Sequence, residues 1–270
     1  MQSLKNIAKT IREDTIRSIG SIGVGHLGGC LSIAEILTAL YFSEMRIDPK
    51  DPQKKDRDVF VCSKGHGGPA VYAALANRGY FEKELLLTLN KNGTILPSHC
   101  HMDRTPGIDM TTGSLGQGFS AAVGIAIAQK NEGKGYNTFC IIGDGESQEG
   151  QIWESAMIAS KMKLNNFIAF TDRNEYQIDG SSFEIESLDP LDEKWRAFGF
   201  YVEVIDGHDV NAILNAISHA KAQEKPAMII CKTVKGKGAS FIESLKNSNH
   251  NMAISQSDVL RAIAEVEQNG

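Results

Sequence analysis

Thr138-Phe139-Cys140-Ile141-Ile142-Gly143-Asp144-Gly145-Glu146-Ser147-Gln148-Glu149-Gly150 and, after one helix-length interval, Asn165-Asn166-Phe167-Ile168-Ala169-Phe170-Thr171-Asp172-Arg173-Asn174 decide how this chain folds. Each contains a short apolar run that ends in a polar residue, the pattern of a strand buried on both faces. Parallel strands joined by a crossover helix bring their carboxyl ends side by side. Asp144 and Asn174 therefore converge, although thirty residues separate them. One carboxylate, one amide oxygen and a main-chain carbonyl suit a magnesium ion that keeps water and phosphate oxygens as its other ligands. Glycine on both sides of Asp144 allows close backbone approach, and the helix start that follows favours anions. The pair taken alone is also compatible with a plain turn and a helix-capping aspartate.

Outward from this unit, strands and helices alternate. Leu4, Ile7, Ala8, Ile11, Thr15 and Ile19 recur at three and four residues and predict an amphipathic first helix. It stops at Gly20–Gly29, five glycines in ten residues. Ser32-x-x-Glu35 has the form of a capping box and predicts a second helix through Phe42. Asp58–Cys62 reads as the first strand, and Ser63-Lys64-Gly65-His66-Gly67-Gly68 as the turn into another helix. Thr111–Gly118 opens an alanine-rich helix from about Phe119 to Gln129. Tyr201–Ile205 and Ala227–Cys231 read as later strands around a helix at Val210–Gln223, and Asp258–Glu267 as a last helix. The expected fold is α/β, a mainly parallel sheet with helices on both faces. With no repeat, low-complexity tract or linker, residues 1–270 read as a single domain with a mobile loop near Lys235–Ile254. Ligands of such sheets sit beyond the carboxyl ends of the strands, and the glycine- and histidine-rich stretches fall there or at loops before helices.

The bulk properties narrow the function. At 270 residues, 41% hydrophobic and 23% charged, the chain has the composition of a soluble globular protein. A net charge of −5 argues against nucleic-acid or anionic-membrane partners, which need clustered cations. Any bound phosphate then needs local help from a metal, helix ends or histidines. The five cysteines are scattered, odd in number and without Cys-x-x-Cys spacing, which fits a reducing cytoplasm. No apolar run approaches the ~18 residues of a membrane span, and the N-terminus lacks a secretion signal.

His26, His66 and His99 lie in turn-like segments rather than on apolar faces, where imidazole can serve phosphate and hydroxyl oxygens or move protons. Each alone also reads as an ordinary structural or exposed histidine. His219 falls on a predicted helix face and reads as inert, and His101, His208 and His250 are not placed by pattern. Gly113-Ser114-Leu115-Gly116-Gln117-Gly118 has its glycines in a different order from the dinucleotide fingerprint. They still require close approach of the backbone to a ligand or a neighbouring helix. Lys232-x-x-Lys235-Gly236-Lys237-Gly238 lacks phosphate-loop spacing and reads as a solvated basic loop.

Gly25-His26, Ser63-Lys64-Gly65-His66, Thr111-Thr112-Gly113-Ser114-Leu115-Gly116-Gln117-Gly118, Gly143-Asp144-Gly145-Glu146-x-Gln148-Glu149-Gly150, Asn174 and Ile178-Asp179-Gly180 occur in that order. Together they resemble the N-terminal, diphosphate-binding domain of transketolase, from about His26 to Gly238. The resemblance implies a thiamine-diphosphate-binding fold with thiamine diphosphate and Mg2+, or another divalent cation such as Ca2+ or Mn2+. It implies Asp144 and Asn174 as side-chain metal ligands and Tyr176 as a main-chain one. His66 and Gly145 match diphosphate contacts, and the Gly113-Ser114-Leu115 stretch matches contacts to the aminopyrimidine ring. His26 and His99 match histidines that hydrogen-bond the donor sugar, with His101 an alternative to His99. His250 matches a late histidine touching both diphosphate and substrate, and Glu149 a buried acid at the subunit interface. Three positions depart from the family pattern. Val24 precedes Gly25-His26 where a small polar residue or glycine is usual, Cys100 follows His99 where proline is common, and no aromatic precedes His250.

Full transketolases continue into further domains, one bearing the glutamate that activates the cofactor, so the resemblance implies the N-terminal subunit of a split enzyme. Such a subunit is expected to be inactive alone and to work as a heterotetramer with a C-terminal subunit on a separate chain. Its substrates would be sugars or sugar phosphates exchanging a two-carbon ketol unit. Rival expectations are a deoxyxylulose-phosphate synthase, the first component of a 2-oxo acid dehydrogenase, or a non-catalytic thiamine-diphosphate-binding subunit.

Overall fold

A computed structural model describes residues 3–269. Its strands are β1 (Val24–Gly25), β2 (Val59–Cys62), β3 (Thr138–Gly143), β4 (Phe167–Arg173), β5 (Tyr176–Gln177), β6 (Gly180–Ser181), β7 (Tyr201–Asp206), β8 (Ala227–Lys232) and β9 (Met252–Ala253). Five of them form a wholly parallel sheet in the order β2-β3-β4-β8-β7. The apolar runs are continuous because the central strands are covered on both sides, and successive side chains part to opposite faces. Phe139, Ile141, Ile168, Phe170 and Ile229 enter one core. Cys140, Ile142, Phe167, Ala169, Met228 and Ile230 enter the other. Burying one such large side chain is worth roughly 1.5–3 kcal/mol.

Crossover handedness decides where the helices lie. The step from β3 to β4 crosses the sheet in one direction, and the step from β7 to β8 crosses it in the other. Right-handed connections then require their helices on opposite faces. Gly150–Lys161 packs Ile152, Ala156 and Ala159 into the second core, and Val210–Lys221 packs Ile213, Ala216 and Ile217 into the first. The chain therefore leaves the neighbouring strands β4 and β8 towards opposite faces, reaching Leu191–Ala197 and Ser240–Glu243 respectively. A crevice opens at their carboxyl ends. The neighbours β2 and β3 diverge in the same way, into Gly68–Arg78 and Gly150–Lys161.

Two sequence expectations are corrected. Ser32 and Glu35 do not form a capping box: Ile33 is the N-cap of helix Ala34–Ala39 and makes no side-chain cap bond. Ser32 Oγ donates instead to Gly29 O at 3.2 Å and Asp172 Oδ2 at 2.8 Å, and Glu35 pairs with Arg12. Tertiary partners in a dry interior outcompete the local cap. The segment Lys235–Ile254, expected as a mobile loop, is built into the fold. It carries Ser240–Glu243, the turn Lys246–Asn249 and β9, which pairs antiparallel with β1. Asn249 is buried at its centre and donates to Lys235 O and Ile242 O. No apolar periodicity announced this packing, because backbone and amide hydrogen bonds hold the segment.

Candidate active site

The two crevices merge into one cleft of about 340 Å³ at the carboxyl ends of the sheet. His26, His66, His99 and His250 line it, as do Gly113 and Leu115. Asp144, Gly145, Asn174 and Tyr176 form its other wall. Two expected residues lie elsewhere. Ser114 is exposed and accepts a bond from Gln117 Nε2. Glu149, expected at a subunit interface, is exposed on this chain, and the buried acids of its stretch are Asp144 and Glu146. His101 does not line the cleft; its Nδ1 accepts from Asp103 N at 3.3 Å within its own turn. His99→Ala is therefore expected to impair turnover by about tenfold or more, and His101→Ala to change it by less than about twofold. The comparison is a steady-state assay of both variants at saturating substrate.

Strand register builds the acidic corner. β3 and β4 pair Gly143 with Asp172, which places Asp144 just past the end of one strand and Asn174 just past the end of the next. Glu175 N donates to Asp144 Oδ2 at 2.5 Å. Burial, then the charge of Asp172, pushes the Asp144 carboxyl up to about 7, the behaviour of an acid short of a countercharge. Asn174 Nδ2 donates to Asp172 Oδ2 at 2.9 Å, which fixes the amide so that its oxygen faces away from Asp172. That oxygen accepts from Tyr176 N at 3.2 Å. Carboxylate, amide oxygen and the Tyr176 carbonyl are the hard oxygen donors that a small divalent cation takes.

Beneath the corner lies an ion pair that sequence reading missed. Lys64 and Asp172 are both buried, and Lys64 Nζ donates to Asp172 Oδ2 at 2.6 Å. Asp172 also accepts from Ser32 Oγ and from Thr233 Oγ1, the latter at 2.5 Å. One carboxylate thus ties together the segments that carry His26, His66, Asn174 and Lys235. Burial opposes it, yet Lys64 and these donors hold the Asp172 carboxyl below its usual range. The available signal was a charged residue near the end of an otherwise apolar strand.

The opposite wall carries four histidines and a lysine. His26 lies 5.5 Å from His66, 5.5 Å from His99 and 5.4 Å from His250 between ring centroids, and His66 lies 4.9 Å from His250. Lys235, read from sequence as part of a solvated loop, is only 4% exposed and reaches Tyr176 O at 3.1 Å and His250 Nδ1 at 3.2 Å. Burial, then the Lys64 charge, brings Lys235 down to about 8. Burial, then Lys235, His26 and Lys64, takes His250 down to about 3. Burial first, then like charges around it, keeps the His66 imidazole neutral at physiological pH, and His26 and His99 are also lowered. A group of cationic and cation-capable side chains that repel one another's protons is a place where an anion lowers the energy. The residues fit a diphosphate bridged to a divalent cation.

Glycines let the walls close. A Cβ on Gly65 would stand 2.7 Å from the Thr112–Gly113 backbone, and one on Gly118 would stand 2.7 Å from Ser63 Cα. The expected close approach is thus between neighbouring backbone segments. Glu146 fastens them: it accepts from Gly116 N at 3.0 Å, from Gly143 N at 3.2 Å and from Ser63 Oγ. Burial raises its carboxyl to about 7 despite those donors.

A parallel sheet with a histidine–lysine wall facing an oxygen-donor wall at its diverging strand ends defines an α/β protein built to take an anion together with a cation at one end of its sheet. The profile of the family described as transketolase, thiamine diphosphate binding domain, matches residues 3–266, and the chain belongs to that family as a transketolase subunit. The 6-deoxy-6-sulfo-D-fructose transketolase subunit SqwG of Clostridium sp. (strain MSTE9) is 57% identical over 268 residues, 99% of this chain and 97% of that one. An apulose-4-phosphate transketolase subunit from Actinobacillus succinogenes is 40% identical over 248 residues, 92% of this chain and 90% of that one. The solved transketolase of Leishmania mexicana superposes with a TM-score of 0.92 at 30% identity, over 99% of this chain and 42% of that one. The chain thus spans about two fifths of the length of the solved transketolases it matches.

Proposed function

We propose that this chain is the thiamine-diphosphate-binding, N-terminal subunit of a two-chain transketolase that moves a two-carbon ketol unit from a ketose to an aldose. The observation that carries the reading is the single cleft in which Asp144, Asn174 and Tyr176 face a cluster of four histidines and Lys235. In this reading Asp144, Asn174 and the Tyr176 carbonyl hold Mg2+, or Ca2+ or Mn2+ in its place. His66, Gly145, His250 and Lys235 receive the diphosphate, and Gly113 and Leu115 support the aminopyrimidine ring. Bound thiamine diphosphate supplies the nucleophilic carbon and the electron sink for breaking a carbon–carbon bond beside a ketose carbonyl.

The chain's own residues bind, orient and move protons. His26 and His99 are neutral near pH 7, because burial lowers both, so each ring can donate one hydrogen bond and accept another. That suits sugar hydroxyls, and it lets either ring take up or release a proton as a hydroxyl becomes a carbonyl. Among the described residues, the buried acids beside the cleft are already occupied: Asp144 as a metal ligand in this reading, Glu146 and Asp172 by structural donors. In keeping with the family resemblance and the subunit names of the relatives, the acid that activates the aminopyrimidine is assigned to a second chain, and a heterotetramer of two plus two is the assembly proposed. Glu149, exposed here, is assigned to the contact between subunits. No helix among the described residues is long and apolar enough to cross a membrane, and we assign the enzyme to the cytoplasm.

SqwG's name favours a sulfonated ketose donor, and the apulose enzyme's name a phosphorylated one. The test is reconstitution with the C-terminal subunit, thiamine diphosphate and Mg2+, then a screen of donors that includes 6-deoxy-6-sulfo-D-fructose and apulose 4-phosphate. Ketol transfer to an aldose is the expected result. Condensation of pyruvate with an aldose instead would favour the deoxyxylulose-phosphate synthase reading, and cofactor binding without turnover on any donor the non-catalytic one.

A further inference from the structure

Three residues have no part in the site so far: Glu35 of the Ser32-x-x-Glu35 pattern, His208, and Val234 just before Lys235. The structure joins them. His208 sits in the turn between β7 and helix Val210–Lys221. Val234 N–H donates to its Nε2 at 2.8 Å. A backbone amide nitrogen offers only a donor, so Nε2 carries the lone pair and the ring proton resides on Nδ1. Nδ1 lies 3.1 Å from Glu35 Oε2, which accepts that proton's hydrogen bond. Glu35 is buried and takes Arg12 Nη2 on the same oxygen at 2.5 Å. Although burial opposes it, Arg12 and His208 hold the Glu35 carboxyl below its usual range, so the acceptor that orients the ring is charged. His208 N donates to Asp206 Oδ1 at 2.8 Å, which holds the residue's own backbone.

What the ring holds is the approach to Lys235. The β8 ladder ends at Lys232, and Thr233 N then bonds to Arg173 O at 3.1 Å. Gly236 N bonds to Gly28 O at 2.9 Å. Between these two points the Val234 amide is held by His208, and the Val234 side chain is 40% exposed and so contributes little packing. One residue on, the Lys235 ammonium enters the cleft. We propose that His208, aligned by Glu35, is a positioning residue that sets the backbone at Val234 so that Lys235 meets the diphosphate. The inference rests on the diphosphate reading of the cleft and adds to it a specific route by which a residue outside the cleft controls anion binding.

The test uses isosteres in the full chain. Asparagine at 208 keeps an amide N–H near the place of Nδ1 but falls short of Val234, whereas glutamine carries a carbonyl oxygen towards the place of Nε2. Titration with inorganic pyrophosphate and Mg2+ is expected to show about a tenfold loss of affinity for His208→Asn, and less than about a threefold loss for His208→Gln. In a Lys235→Met background, His208→Asn is expected to cost nothing further, because the group it positions is gone. Unchanged affinity in His208→Asn, or an equal loss in both backgrounds, would overturn the inference. Failure of the unaltered chain to bind pyrophosphate overturns the diphosphate reading itself, a separate outcome. Hydrogen exchange in the unaltered chain gives a second measurement that does not depend on a variant folding. The Val234 amide is expected to exchange at least about tenfold more slowly than an open loop amide, and unprotected exchange sinks the tether.

Discussion

Asp144→Asn is expected to weaken Mg2+ binding by about a hundredfold or more while making the metal-free chain more stable at pH 8. The two effects have one cause. Asp144 is a buried carboxylate beside Asp172, and its carboxyl stands near 7 in the folded chain against the ordinary value of 3.8. Between roughly pH 4 and 7 the folded state keeps a proton that the unfolded state has released, so stability falls as pH rises through this window. Above about pH 7 the whole cost is present, of the order of a few kcal/mol. A divalent cation removes it by supplying the missing charge. Asparagine removes it by having none, and with it the steepest part of the metal's attraction. Thermal melts with and without Mg2+ read both consequences: in the unaltered chain Mg2+ raises the midpoint at pH 8, and in the variant the midpoint starts higher and barely responds. Glu146 is displaced in the same direction, to about 7, so part of the pH slope persists in the variant. A metal-free variant less stable than the parent at pH 8 would mean that Asp144 is not short of a countercharge.

Asp172→Ala is expected to destabilise the chain by about 3–5 kcal/mol, a large share of the 5–15 kcal/mol that holds a typical domain together. The loss has a specific origin. Lys64 would remain in the interior with its charge unpaired, and Ser32, Thr233 and Asn174 would each lose an acceptor. Replacing both partners, as Lys64→Met with Asp172→Leu, is expected to recover most of the loss, since a matched apolar pair leaves no stranded charge. The recovered protein would still bind metal less tightly, because the Asn174 amide loses the carboxylate that fixes its nitrogen and keeps only the Tyr176 N bond to its oxygen. Urea midpoints for the parent and the two variants, set beside Mn2+ affinity, separate the two roles. The pH dependence follows from the depressed Asp172 carboxyl. Its stabilisation is present above the unfolded value of about 3.8 and is lost as pH falls through the lower folded value, so the acid limb should be shallower in Asp172→Ala, with the part owed to Glu35 remaining.

Much of the fold was legible because it depends on local pattern. The apolar runs at Thr138–Ile142, Phe167–Phe170 and Ala227–Cys231 announced strands buried on both faces, and each lies within its strand. The spacing between Asp144 and Asn174 announced parallel neighbours, and the register of β3 and β4 places them as expected. The histidine- and glycine-rich strand-end stretches announced one site, and His26, His66 and His99 do meet in one cleft, joined by His250, which only the family resemblance had pointed to. What the pattern misread were polar groups whose partners lie far off in sequence. Ser32 and Glu35 satisfy a local capping rule, but Asp172 lies 140 residues from Ser32. Lys235 sits among other lysines and glycines, and long-range bonds on either side of it, from Val234 N to His208 and from Gly236 N to Gly28 O, hold the backbone from which its side chain turns inward.

Local periodicity and the spacing of motifs thus determined, without coordinates, the layered α/β architecture, the parallel centre and the convergence of Asp144 and Asn174, and the family resemblance supplied the rest of the expected site. Only the tertiary structure decided which histidine of the His99–His101 pair faces the cleft, that Glu146 and Asp172 join Asp144 as buried acids beside it, and that Lys64 and Lys235 are its lysines. The reason is range. A strand or helix is specified by neighbours a few residues away, whereas the protonation and orientation of a buried polar side chain depend on the nearest charges in space. Here those charges come from segments that the sheet's diverging crossovers bring together at one end.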